Sequence, residues 1–280
     1  MQTIIIATDF SDASRNAAKY AAALAQPLGT GRIVLYHSYD NNAAVTEVPV
    51  AEATPRLTHE GSLKALEQIK QELQPVVGNN AGVDIELAAN GLPLVHGVNQ
   101  LAEERHADLV VAGATGKTNL EQALVGSNTV SLASEVNAPL LIVPKDSSYT
   151  AISKIVFACD LKRVSESTPA TEIGIWLERL TAKLLVLNVA PKDKRLGPDI
   201  ISEQYKMHSL LDSLHPEYHY TESDDIADEI AHFAEKHDAG LIITIPKSYG
   251  FFEGLFHRSI SKRLIKAADI PLLLLKEKNG

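Results

Sequence analysis

The chain has 280 residues, 22% of them charged, with a formal net charge of -9. That acidity excludes general electrostatic attraction to nucleic acid, which is bound through basic surface. No apolar run reaches the roughly 18 residues of a membrane span, and a lone Cys159 excludes an internal disulfide framework.

The opening "MQTIIIATDF" reads as a strand ending in Asp, with neither a basic segment nor a cleavage pattern, so no secretory signal is expected. Together with the single cysteine this points to the cytoplasm. "SDASRNAAKYAAALAQPLG" follows with an Asp/Ser start and an Ala-rich body, a helix closing near Pro27 and Gly29. "RIVLYHSY" is a second strand. Leu63, Leu66, Ile69 and Leu73 recur at helical spacing in "TPRLTHEGSLKALEQIKQELQPVV". "LVHGVNQLAEERH" is a further helix, "ADLVVAG" a strand, "LEQALVGSNTVSLASEV" one or two helices, and "NAPLLIVPK" the last strand of this half.

The same order then returns. "TIIIATDFS" (3–11) is matched by "KIVFACDLK" (154–162), and "RIVLYHSY" by "KLLVLNVA" (183–190). "ADLVVAG" is matched by "AGLIITI" (239–245) and "NAPLLIVPK" by "DIPLLLLKE" (269–277), both at one offset of 132 residues without a gap. A tandem duplication results, with units at 1–146 and 152–280 joined by the polar "PKDSSYTAIS". Continuous apolar strands alternating with helices predict parallel sheets covered on both faces, hence an α/β fold of two doubly wound sandwiches in tandem. Ligands of such sheets bind beyond the carboxyl ends of the strands, where Asp9, Ser38 and Gly113 are expected to converge. The terminal strands "PLLIV" and "PLLLL" are candidates to pair across a pseudo-twofold axis, covering edges that would otherwise be exposed.

"GATGKT" ends like a phosphate-binding P-loop, but the first glycine of that pattern falls on Val111. What remains is Gly113, Gly116, Gly126 and Ser127, with Asn128 and Thr129 following. Glycines let backbone N–H groups approach phosphate. "GSNT" opens a helical segment whose free N–H groups form an anion site, with Ser127 and Thr129 adding hydroxyls. Two turns closing on a polyphosphate differ from a single continuous P-loop. Lys117 is either a phosphate ligand or a solvated loop lysine, and Asp9 either a ligand residue or a cap for the helix at 12–26.

These residues resemble the universal stress protein family, whose nucleotide-binding members carry G-x2-G-x9-G-[ST]. Gly113, Gly116, Gly126 and Ser127 fit that pattern without a gap, and the likeness extends over nearly the whole chain as two copies of the family domain. "ATDFS", with Thr8 and Asp9, is similar to the family's strand-1 end, where an Asp contacts adenine. "LYHSYD" is similar to its strand-2 end, where backbone near the residue after the His meets adenine, here Ser38. "NGLP" (90–93) is similar to its turn after strand 3. The resemblance implies a Rossmann-like sandwich of the adenine nucleotide alpha hydrolase-like class, ATP (or ADP or AMP) as cofactor with Mg²⁺ as a further candidate, and a stress-response regulatory module. It also implies a protein partner and an intramolecular pseudo-dimer, with a homodimer of chains as a further option. The alternative is a slow ATPase or a nucleotidyl or phosphoryl transferase, against which the H-x-G-H and S-G-G-x-D-S signatures are absent.

At the 132-residue offset Gly113 becomes Ile245, Gly116 becomes Ser248 and Gly126 becomes Arg258, while Ser127 survives as Ser259. One nucleotide per chain is therefore expected. The second half is either a built-in structural partner or a new site in which Lys247, His257 and Arg258 attract an anion beside Phe251, Phe252 and Phe256. His215 and His219 in "HPEYH" have the i, i+4 spacing of a metal pair on a helix, but Pro216 and the lack of a nearby cysteine argue for a solvated pair. Cys159 reads as a buried small hydrophobe, and Ile173 with Trp176 as a core helix face.

Overall fold

The computed structural model describes residues 1–39, 58–78, 82–114, 127–192, 198–246, 264 and 269–277. In the first half β1 (Thr3–Ala7), β2 (Arg32–Ser38), β3 (Asp84–Asn90), β4 (Leu109–Ala114) and β5 (Leu140–Pro144) are all parallel, in the order β3-β2-β1-β4-β5. The second half repeats that order with β6 (Lys154–Ala158), β7 (Lys183–Ala190), β8 (Glu217–Glu222), β9 (Leu241–Thr244) and β10 (Leu272–Leu274), arranged β8-β7-β6-β9-β10. The two sandwiches share one ten-stranded sheet, because β5 and β10 pair antiparallel. "PLLIV" and "PLLLL" thus cover each other's edges. The central pair is Leu141 with Leu273, each the other's counterpart at the 132-residue offset, so a pseudo-twofold axis passes between them.

Helices cover both faces. On one lie α1 (Asp12–Leu28), α2 (His59–Val77), α6 (Ala170–Leu180) and α7 (Pro198–Leu211). Their Ala17, Tyr20, Leu24, Leu66, Ile69, Trp176 and Met207 pack on Ile4, Ile6, Leu141 and Leu273. On the other lie α3 (Leu94–Glu104), α4 (Ser127–Glu135) and α8 (Ile226–Lys236), whose Val98, Leu132 and Ala231 meet Ile5, Val110 and Ile242. Alternate residues of each strand serve opposite layers, the period-2 rule of a sheet buried on both sides. The expected helical period of α2 holds at Leu66, Ile69 and Leu73, with Val77 extending it.

The first helix is one continuous rod in the first half. In the second it is broken into α5 (Val164–Ser167) and α6 around Thr168 and Pro169. Both versions close on a left-handed residue, Gly29 (φ 63°) and Thr181 (φ 53°). Glycine takes that conformation freely, whereas a β-branched residue is strained there by roughly 1–2 kcal/mol. Thr181→Gly is accordingly expected to stabilise the chain by about 1 kcal/mol, less the entropy that glycine adds to the unfolded chain. Thermal denaturation checks it, and a lowered melting temperature would show that the Thr181 side chain contributes more than its strain costs.

The two histidines of "HPEYH" do not share a helix. His215 ends a short 3-10 turn in a left-handed conformation and His219 lies on β8. Cys159 is half-buried and not fully enclosed, its Sγ accepting from the Leu161 N–H at 3.3 Å. Among the described residues no group of three or more His, Cys, Asp or Glu could hold a metal ion, and no helix is long and apolar enough to cross a membrane.

Candidate functional site

The carboxyl ends of β1, β2 and β4 open onto one cavity of about 550 Å³, lined among others by Thr8, Asp9, His37, Ser38, Gly113 and Thr129. Its first wall is the turn from β1 into α1. The Thr8 N–H donates to the Tyr36 carbonyl at 2.9 Å, carrying the β1–β2 ladder one residue further. Thr8 Oγ1 accepts from the Phe10 N–H at 3.0 Å and lies 2.9 Å from Ser14 Oγ. Asp9 Oδ1 accepts from both the N–H (3.1 Å) and the hydroxyl (2.6 Å) of Ser11. This compact turn holds Phe10 in a left-handed conformation, φ 67°. Ser11, not Asp9, is the cap of α1: its Oγ accepts from the Ser14 N–H at 3.3 Å. Asp9 is thereby released from helix capping and sits at the exposed rim of the cavity. Burial pushes its carboxyl up, but the hydrogen bonds from Ser11 and Ser14 outweigh this and hold it below the usual aspartate range. The group is an ionised acceptor at neutral pH.

The second wall is the end of β2. His37 Nδ1 donates to the Thr8 carbonyl at 2.8 Å, and Ser38 Oγ donates to the Leu92 carbonyl at 2.5 Å. Asn90 Oδ1 accepts from the Leu92 N–H (3.1 Å) and from the Tyr36 hydroxyl (2.7 Å), so the "NGLP" turn is bound to β2 and sets Pro93 and Leu94 against the cavity.

The third wall is Gly113 with the start of α4. Asn128 and Thr129 line the cavity, and Ser127 occupies the first position of α4, exposed. Thr129 Oγ1 donates to the Gly113 carbonyl at 3.0 Å and ties the two turns together. Gly113 also has a packing duty. Its φ is not in the left-handed range. A Cβ there would lie 2.4 Å from the Ala13 carbonyl oxygen, and the space is filled by the backbone of α1. The N-termini of α1 and α4 both border the cavity, and each brings first-turn N–H groups without an intrahelical partner and a positive dipole end.

The structure therefore brings together Thr8, Asp9, Ser38, Gly113, Asn128 and Thr129, with Ser127 alongside. Gly116, Lys117 and Gly126 lie outside the described residues, as do Lys247, Ser248, Phe251, Phe252, Phe256, His257, Arg258 and Ser259. Sequence reading missed Ser11, Ser14, His37, Pro93, Leu94 and Leu132 as lining residues. For Ser11 a signal existed: a serine just before an Ala-rich helix is a cap candidate. For His37, the alternation of β2, whose Leu35 and Tyr36 face opposite layers, was the available cue.

The backbone N–H bonds of the β1 turn and its tie to the next strand recur in the second half. The Lys162 N–H donates to Asp160 Oδ1 at 3.1 Å, the Leu161 N–H to Cys159 Sγ, and Asn188 Nδ2 to the Cys159 carbonyl at 2.8 Å. Leu161 repeats the left-handed φ of Phe10, at 50°. At the position of Gly113, however, stands the buried Ile245, packed in the same layer as Leu161 and Val164.

A doubly wound α/β sheet with a polar crevice at the carboxyl ends of its strands, bordered by two helix N-termini, defines a protein of the Rossmann-like class. The model of the Universal stress protein family matches residues 1–144 and again 151–276, and the chain belongs to that family. Two universal stress proteins of Methanocaldococcus jannaschii are similar to it. One is 32% identical over 152 residues, covering 51% of this chain and 81% of the relative. The other is 29% identical over 164 residues, covering 52% and 96%. The crystal structure of a universal stress protein from Archaeoglobus fulgidus shares the fold over 99% of this chain and 97% of its own, with a TM-score of 0.70 and 16% identity. A universal stress protein solved in complex with cAMP overlaps 52% of this chain at a TM-score of 0.38 and 23% identity.

Proposed function

We propose that the first-half crevice binds one adenine nucleotide per chain, ATP or its diphosphate or monophosphate, and that the protein is a cytoplasmic stress-response module whose docking to a protein partner follows nucleotide occupancy. The carrying observation is the convergence of Thr8, Asp9, Ser38, Gly113, Asn128 and Thr129 on one cavity of about 550 Å³. A volume of that order suits a drug-sized ligand. The ionised Asp9 supplies an acceptor for an amino group or ribose hydroxyl, and the start of α4 supplies N–H groups for phosphate. No carboxylate cluster among the described residues offers a metal cage, so any Mg²⁺ would enter on the phosphates, held mainly by them and by water. The units are taken as 1–146 and 152–280, and the second, with Ile245 at the Gly113 position, acts as a built-in partner. Hydrolysis, if measured, is expected well below the ordinary enzyme range of roughly 1–10³ per second.

Calorimetric titration of the full chain with ATP tests this reading. One site per chain is expected, weakened about 10- to 100-fold in Asp9→Ala, the equivalent of one hydrogen bond to a charged group. Two occupied sites would overturn the assignment of a silent second half, and no binding at all would overturn the nucleotide reading.

A further inference from the structure

We propose that His37 is a specificity-determining residue of this crevice, accepting through Nε2 a hydrogen bond from an exocyclic amino group on the bound base. The proposal rests on the nucleotide reading above and deepens it to a choice between amino- and oxo-purines.

The argument begins with the tautomer. His37 Nδ1 lies 2.8 Å from the Thr8 carbonyl oxygen. A carbonyl only accepts, so Nδ1 carries the hydrogen, and the neutral ring must then hold its lone pair at Nε2. The ring is also fixed in place. Phe10 packs against it with centroids 4.4 Å apart at 47°. Phe10 is in turn held by the Asp9–Ser11 turn and by its own N–H bond to Thr8 Oγ1. Flipping the imidazole would surrender the Thr8 bond. His37 is half-buried, lines the cavity, and among the described residues no protein group bonds Nε2. A residue of the cavity wall thus carries an acceptor whose ring is already held in place before any ligand binds.

The second half separates the anchoring duty from this one. Asn188 donates to the Cys159 carbonyl at 2.8 Å, the same bond in the same place. An amide is therefore enough to tie β7 to β6. What the imidazole adds in the first half is the second nitrogen, on a residue that lines the described cavity.

Asp9 and His37 then give the cavity two acceptors. A 6-amino group has two N–H donors to satisfy them. A 6-oxo group presents lone pairs to lone pairs and offers neither acceptor a donor, the situation that lets polar sites discriminate. Adenine nucleotides should be held in preference to their hypoxanthine counterparts.

Titration of the full chain with ATP and with inosine triphosphate, for the unaltered protein and for His37→Asn, decides the matter. Asn copies Asn188 and keeps the Thr8 anchor. The unaltered protein should bind ATP at least about tenfold more tightly, and His37→Asn should lose about that factor for ATP while leaving the inosine nucleotide unchanged, at an unchanged melting temperature. Equal affinity of the unaltered protein for both nucleotides overturns the proposal without any variant. So does a variant that weakens both equally, or neither, since His37 would then be a structural anchor alone. If the unaltered protein binds neither nucleotide, the nucleotide reading falls and this proposal with it; if it binds ATP but the ratio survives in His37→Asn, only the role of His37 falls.

Discussion

Gly113→Ala is expected to destabilise the chain by about 1–3 kcal/mol, the usual cost of overpacking, and to weaken ATP by about tenfold or more. A Cβ at this position would stand 2.4 Å from the Ala13 carbonyl oxygen, 2.6 Å from the Ala13 carbonyl carbon and 2.9 Å from the Ser14 nitrogen. All three are backbone atoms of the first turn of α1, so no rotamer change relieves the clash. Either the end of β4 or the start of α1 must retreat, and both are walls of the crevice. The second half shows what accommodation requires. There the position is Ile245, and the facing helix is interrupted after α5 at Thr168 and Pro169. The first half has no such interruption, since α1 runs unbroken from Asp12 to Leu28. Gly113→Ile should therefore be worse than Gly113→Ala. Thermal denaturation with calorimetric titration checks both variants. Near-native stability and affinity in Gly113→Ala would mean that α1 can slide without disturbing the cavity, which would remove the packing argument for this glycine.

The example also shows what a linear sequence reveals and what it conceals. The duplication, the parallel strands and the pairing of the two terminal strands followed from β-branched apolar runs recurring in the same order, because period and repeat are properties of the chain itself. Asp9 was legible as a strand-end residue, but its freedom from capping was not, since that depends on Ser11 taking the cap. The sequence offers Thr129 as a donor through its hydroxyl alone. Which acceptor the proton reaches, here the Gly113 carbonyl sixteen positions earlier, is decided by how α4 packs on β4. The sequence shows the glycine replaced by Ile245, whereas only the fold shows that the side-chain position at Gly113 is occupied by the backbone of Ala13. For His37 the alternation along β2 gives the face it occupies but not its partner. Its meaning comes from a bond to Thr8, in the turn that follows a different strand.

Replacing Leu141 or Leu273 by alanine is expected to cost about 2–5 kcal/mol each, the range of fully buried Leu→Ala changes, and the two effects should not add. Both side chains are fully buried in the same layer and stand directly opposite one another in the ladder. Opposed residues on one face have Cβ atoms about 5 Å apart and interact as a unit. The first truncation opens a cavity that the second partly shares, giving a coupling of about 0.5–3 kcal/mol in a double-mutant cycle. The neighbouring pairs Ile142–Leu272 and Leu140–Leu274 belong to the opposite layer, so they cannot fill the gap. A charge is worse. Leu141→Asp would place a carboxylate between two layers of apolar side chains with no cation opposite, and the buried, uncompensated group costs several kcal/mol unless it takes up a proton. Because this pair lies on the axis joining the two halves of one continuous sheet, both halves should lose stability together. A single unfolding transition, shifted down in each variant and probed by both far-ultraviolet circular dichroism and the fluorescence of Trp176 in the second half, is the expected result. Two separated transitions, with Trp176 reporting an unperturbed second half in Leu141→Asp, would mean that each half folds on its own and that the β5–β10 ladder contributes little to holding them together.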